Sequence, residues 1–353
     1  MSPHPSANLT TIGSWEAENV SVGQVEAALS DLRRHERRAA VRTSVLTLVA
    51  VVSDDTAADA VLDIVYDLGG RHPSRTIVLI LDEDEEDDAG GGRRAEPYGR
   101  AALDATASVN AVEREGRTVC FEDVVLRVRG RARHHLDSVV EPFSLPDLPV
   151  VVWLPARLPH PGDPLLAAAD RIVVDSRAVA GAGGGDETHT VLPRIAALAR
   201  RLPVTDLSWT RLAPWRSLLA GLFEGSEYRP FLREVDQVEV AGNYGPRHLL
   251  GGWLMRRLSL PTARVTLRPA EHVSIRVTAA HRERTGVFVV ARPGQARVIQ
   301  STIEIDRGPS VSQTLRMRQQ WPALALAGAL TRMGRDEVYC EALDGALELR
   351  SAG

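Results

Sequence analysis

The chain has 353 residues, 44% of them hydrophobic and 25% charged, with a formal net charge of −4. That length exceeds what one hydrophobic core usually serves, so two domains are expected, and the charge balance lacks the basic excess of a nucleic-acid-binding protein. The two cysteines, Cys120 and Cys340, stand far apart without paired spacing, which argues against a disulfide framework or a zinc site.

Residues 1–20 read as a loose arm. Ser21 then opens a helix, with Gln24 completing a capping box. Val22, Val25, Leu29 and Leu32 form one apolar stripe, and the arginines from Arg33 to Arg38 form a solvated face. Val45–Val52 is the first strand. Asp54 or Asp55 caps a helix through Leu68, Gly69-Gly70 ends it, and Arg75–Leu81 is the next strand. Strand, helix and strand imply a parallel crossover. The block after Leu81, DEDEEDDAGGG, reads as a mobile loop, without the spacing of a calcium-binding loop. Ala102–Val112 and Thr118–Val128 are strands joined at Gly116, and Gly130–Val140 is a helix.

The stretch Leu145–Ser176 organises this first half. Val150–Leu154 is an apolar, β-branched run bounded by proline, the pattern of a strand buried on both faces. A long loop, Pro155–Pro164, a short helix at Pro164–Ala169 and a strand at Ile172–Val174 follow. Loops leaving the carboxyl ends of such strands commonly collect function, which makes 155–164 a first place to look. Ala180–Asp186 reads as a loop of small residues, and Thr190–Arg201 as the helix closing a first domain at residue 203.

From 204 the pattern changes. Thr210–Phe223 is a helix with Leu212, Trp215, Leu219, Leu222 and Phe223 inward, and Tyr228–Arg233 is a short helix. Val235–Val240 is a strand, and AGNYGPRH leads into a helix to Leu258 with Pro246 at its first position. Period-two alternation then runs from Val273 to Met317 with a turn at Pro293-Gly294, an antiparallel meander with one wet face. Helices at Trp321–Thr331 and Asp336–Leu349 end the chain. The expected fold class is α/β: an N-terminal, mostly parallel-sheet α/β domain (1–203), followed by an α+β domain with an antiparallel meander and flanking helices (204–353).

Two segments gather groups able to bind. Arg71, His72, Ser74 and Arg75 place two guanidiniums, an imidazole and a hydroxyl on one short loop, suited to a partner's carboxylates or a phosphate. An exposed polar loop with a proline turn explains the same residues. Gly242, Gly245, Arg247 and His248 follow a strand and open a helix, where backbone N–H groups could hold an anion; an ordinary tight turn explains them equally. Trp209 and Arg211 are residue types favoured as interface anchors, although tryptophans on helices usually line a core. No catalytic motif is assembled: there is no GxSxG elbow, no HExxH and no CxxC, so no catalytic residues, metal or cofactor are expected. All 42 basic residues are arginine, which codon bias explains. The N-terminus lacks the basic start and apolar run of a signal peptide, and no apolar stretch reaches membrane-spanning length. A cytoplasmic location, no membrane partner and no nucleic acid are expected.

His72–Ile80 (HPSRTIVLI), Leu148–Leu154 (LPVVVWL), Asp163–Ser176 (DPLLAAADRIVVDS) and Asp206–Leu222 (DLSWTRLAPWRSLLAGL) resemble one family, the glucose-6-phosphate dehydrogenase assembly proteins, OpcA, in their actinobacterial form. These stretches fall in both halves. The resemblance implies a non-catalytic partner and allosteric activator of glucose-6-phosphate dehydrogenase, at the entry to the oxidative pentose phosphate pathway of carbohydrate metabolism. It offers no catalytic residues to carry over. The alternative from the residues alone is a sugar-phosphate- or nucleotide-binding enzyme or sensor using the loop at 241–248, with a small phosphate ligand.

Overall fold

The computed structural model describes residues 9–35, 44–68, 72–81, 103–114, 117–182, 187–294, 297–306, 308, 310–317, 322–331 and 334–351. Arg71, Gly69-Gly70, the turn at Gly116, the acidic block from residue 82 to 92 and the glycines at 183–185 lie outside them. The chain divides into two compact units between Val174 and Asp175, with the helix at 322–331 returning to the first. Among the described residues no helix is long and apolar enough to cross a membrane.

The first unit holds β1 (Leu9–Val20), α1 (Val22–His35), β2 (Leu46–Val52), α2 (Asp55–Asp67), β3 (Ser74–Ile80), β4 (Leu103–Arg114), β5 (Arg117–Val128), α3 (Leu136–Val140), β6 (Val150–Leu154), α4 (Leu165–Ala168) and β7 (Arg171–Val174). Strand order is β1-β4-β5-β3-β2-β6-β7. The strands from β5 through β7 run parallel to their neighbours, while β4 is antiparallel to both β5 and β1. Every residue of β2, β3, β6 and β7 is buried, as continuous β-branched runs demand when both faces of a sheet are covered. The strand–loop–helix–strand reading of 150–174 therefore holds.

Two readings are corrected in this unit. Residues 9–20 are not a loose arm but an edge strand paired with β4. Gly13, Trp15 and Ala17 form its half-buried face, and Ser14 and Glu16 between them are exposed. So polar a strand is recognisable only once its partner is known. The basic face of α1 is not wholly solvated either: Arg33 donates two hydrogen bonds to Glu122 at 2.7 and 2.9 Å. Arg75 donates to the same carboxylate at 2.9 Å and to the Phe143 carbonyl at 2.8 Å. Helix starts follow the sequence closely. Gln24 Oε1 accepts from the Ser21 N–H at 2.9 Å, and Asp54 accepts from the Ala57 N–H at 2.8 Å.

The second unit opens with α5 (Ser176–Ala182), so a helix occupies the start of the stretch read as a small-residue loop. It continues with α6 (Val191–Ala199), β8 (Val204–Asp206), α7 (Leu207–Arg211), α8 (Ala213–Leu222), β9 (Val235–Gly242), α9 (Tyr244–Arg257), β10 (Val265–Pro269), β11 (Ser274–His281), β12 (Arg284–Ala291), β13 (Val298–Ile305), β14 (Val311–Arg316) and α11 (Glu337–Ser351); α10 (Pro322–Thr331) belongs to the first unit and packs on α2. The unit begins before residue 203 because α5 packs on α9 and α6 on α11. Its sheet order is β10-β9-β11-β12-β13-β14, parallel between β9 and β10 and antiparallel elsewhere. Ile275, Val277, Phe288, Val290, Ile299 and Ile303 line its buried face, against which α8 packs at β12 and β13. Phe223 and Phe288 stack with ring centroids 4.3 Å apart. At β14 the alternation gives no burial; Val311 and Leu315 are exposed.

Candidate functional site

The second unit gathers its charged groups where several elements begin. Asp175, ahead of α5, accepts from the Arg177 N–H at 3.2 Å, and Asp206, ahead of α7, accepts from the Ser208 N–H at 2.8 Å. Each aspartate is thus a helix cap. Each also reaches the other helix: the Ser208 hydroxyl donates to Asp175 at 2.7 Å, and the Ser176 N–H donates to Asp206 at 3.0 Å. Two helix starts are laced crosswise through two carboxylates. Asp206 is fully buried, and the Tyr339 hydroxyl donates to its second oxygen at 3.4 Å. Burial, with the nearby Asp175 charge second, pushes its carboxyl up to about 6.

Beside this lacing lies a cleft of about 470 Å³. Arg177 and Arg211 line it from the helices, and Arg292 and Arg297 from either side of the β12–β13 turn. His272 and Glu271 approach from the loop before β11, and Leu212, Trp215 and Val273 form an apolar part of the wall. Arg211 is held in place by Asp175, with one guanidinium nitrogen 2.6 Å from both carboxylate oxygens. Asn243 and Pro246 bring the start of α9 to the rim. Asn243 is the cap residue of this 14-residue helix, yet its side chain makes no capping bond. The positive end of the helix dipole therefore meets the cleft. Arg177, Arg292, Arg297 and the Asp175-paired Arg211 give the wall its basic character, with Glu271 opposite.

The predicted site residues are distributed unevenly around this feature. Arg71 lies outside the described residues, and His72 is half-buried. Ser74 and Arg75 begin β3 and are buried, Arg75 at 8% exposure in its pairing with Glu122. Trp209 is buried at 4% exposure; its indole N–H donates to Asp336 at 3.2 Å, and the Arg216 guanidinium stacks 3.5 Å over its ring. Among the described residues of that set, Arg211 alone lines the cleft.

The loop at 241–248 is built largely for packing. Gly242 has φ +150°, which disfavours any side chain, and a Cβ on Gly245 would stand 2.7 Å from the Ser176 hydroxyl. Arg247 donates to the Gly242 carbonyl at 3.2 Å. His248 bonds the Tyr244 carbonyl through Nδ1 at 2.7 Å, and burial pushes its imidazole down to about 4. A neutral ring attracts no anion at pH 7. Pro246 is the third helical residue, not the first, because Asn243 caps the helix. Arg177, Arg292, Arg297, Asp175 and Asp206 were missed. The Asp-Ser and Asp-Leu-Ser pairs do signal helix caps, but nothing local shows that distant arginines converge. Among the described residues, no group of three or more His, Cys, Asp and Glu stands close enough to hold a metal ion.

Comparison with known proteins supplies what the geometry does not. The chain is 30% identical over 159 residues to the OxPP cycle protein OpcA of Synechocystis sp., a match covering 43% of this chain and 32% of the relative. It is 29% identical over 148 residues to the protein of the same name from Nostoc punctiforme, covering 40% and 30%. The chain thus spans about a third of the length of the curated relatives it matches. The model of the glucose-6-phosphate dehydrogenase subunit N-terminal domain matches residues 66–203, and that of the C-terminal domain of the same subunit matches 202–343. Two adjoining domain models in their natural order take in the strand–loop–helix–strand unit, the laced helix starts and the meander, and the chain belongs to the OpcA glucose-6-phosphate dehydrogenase subunit family.

Proposed function

We propose that this chain binds glucose-6-phosphate dehydrogenase and promotes its active oligomer without catalysing the reaction itself. The observation that carries the reading is the tandem match of both domain models of the dehydrogenase subunit across residues 66–343. An assembly factor shifts its target only through differential affinity, so it must bind the active oligomer more tightly than the inactive form. The reading places the chain in the cytoplasm with that enzyme. Catalysis through the loop at 241–248 finds little support, since its glycines are packed and His248 is buried and neutral.

The test uses purified chain and the dehydrogenase from the same organism. The chain alone should not oxidise glucose 6-phosphate with either nicotinamide cofactor. Mixed with the enzyme at micromolar concentration and moderate salt, it should raise activity and shift the enzyme to a heavier species on a sizing column. No complex and no change in activity would defeat the assembly reading.

A further inference from the structure

We propose that the arginine-lined cleft of the second unit is a binding site for a small phosphate-bearing metabolite. The inference goes beyond the assembly role and is decided on this chain alone. Its volume, about 470 Å³, lies within the range of small-molecule sites. Its charge is specific in kind. Guanidinium forks match phosphate oxygens two at a time, and Arg177, Arg211, Arg292 and Arg297 come from three separate parts of the chain to face one space. Arg211 is pre-positioned by Asp175, which lowers the ordering cost of binding. Arg177, exposed at the second position of α5, has no side-chain partner among the described residues. The uncapped start of α9 adds backbone donors and a positive dipole end on the same rim.

A second observation points to an organic ligand rather than a bare anion. Trp215 is 7% exposed and lines the cleft, its indole nitrogen buried. With Leu212 and Val273 beside it, the wall offers an apolar face, suited to a sugar or base carried by the phosphate. An acidic protein segment would need only the charge; the concavity and the apolar face favour a compact ligand.

The full chain should be titrated with inorganic phosphate, pyrophosphate, glucose 6-phosphate, ATP and NADP⁺, with glucose and adenosine as unphosphorylated controls. Calorimetry gives affinity, and thermal unfolding gives the linked rise in melting temperature. At least one organophosphate should bind more tightly than inorganic phosphate, and the controls should not bind. Sugar phosphates and nucleotides are separated by which binds tightest. Arg177→Ala combined with Arg297→Ala should weaken binding by about 10–100-fold. Arg256→Ala with Arg257→Ala, in exposed ion pairs at the far end of α9, should leave binding unchanged. The proposal is overturned if no organophosphate binds at millimolar concentration, if inorganic phosphate binds as tightly as any of them, or if the Arg177/Arg297 variant binds like the parent. Loss of dehydrogenase binding in that variant without phosphate binding by the parent would assign the cleft to an acidic protein segment instead.

Discussion

Asp206 allows the sharpest test of the site's construction. It is fully buried, accepts from two backbone N–H groups on two helices, and is held at a pKa of about 6 against 3.8 for an ordinary aspartate. The folded state therefore binds a proton more tightly than the unfolded chain. Its contribution to stability is fully present below pH 3.8 and is lost as pH rises to about 6. That shift corresponds to a swing of about 3 kcal/mol, reached by pH 7. Asp206→Asn retains a carbonyl acceptor for the Ser176 and Ser208 N–H groups and removes the buried charge. The difference in stability between variant and parent should thus move in the variant's favour by about 2–3 kcal/mol between pH 4 and pH 7. Asp206→Ala removes the acceptor as well and should be the less stable of the two at every pH, by about 2–4 kcal/mol for two abandoned buried donors. Urea unfolding of all three proteins, at several pH values from 4 to 7.5, measures both quantities. The difference curve is needed because Asp123, also buried and pushed up to about 7, tilts every absolute curve in the same direction. A flat difference between Asp206→Asn and the parent would refute the assignment of a buried, ionising carboxyl.

Three further outcomes are expected in the same unfolding assay. Trp153→Ala should cost about 3–5 kcal/mol, because Trp153 is 3% exposed in the fully buried β6; a near-neutral result would contradict that packing. Glu122→Ala should cost about 3–5 kcal/mol by leaving Arg75 buried without its carboxylate, and a loss below about 1 kcal/mol would show the pairing to be incidental. Gly252→Ala should cost about 3 kcal/mol or more despite the better helix propensity of alanine, since the added Cβ would stand 2.2 Å from the Ala342 carbonyl oxygen on α11; unchanged stability would mean that α9 and α11 do not touch there.

The sequence by itself determined the fold class and most elements. Continuous β-branched runs such as Leu46–Val52 and Val150–Leu154 leave a strand buried on both faces as the natural solution, and strict alternation over Ser274–Ala291 leaves an antiparallel meander. Caps at Ser21 and Asp54 were legible for the same reason, since they act through bonds to the next turn. Only tertiary structure could decide what depended on distant partners. The strand at 9–20 is polar enough to read as an arm until β4 supplies its hydrogen bonds. Arg33 and Arg75 read as surface charges until Glu122, remote from both in sequence, pairs with the half-buried Arg33 and the buried Arg75. Trp209 is a plausible anchor by type and a core residue by position, because Asp336 and Arg216 enclose it. The arginine cleft follows the same logic. A guanidinium carries no local signal of what it faces, and four of them become one site only when α5, α7 and the β12–β13 turn are brought together by the packing of helices on a sheet.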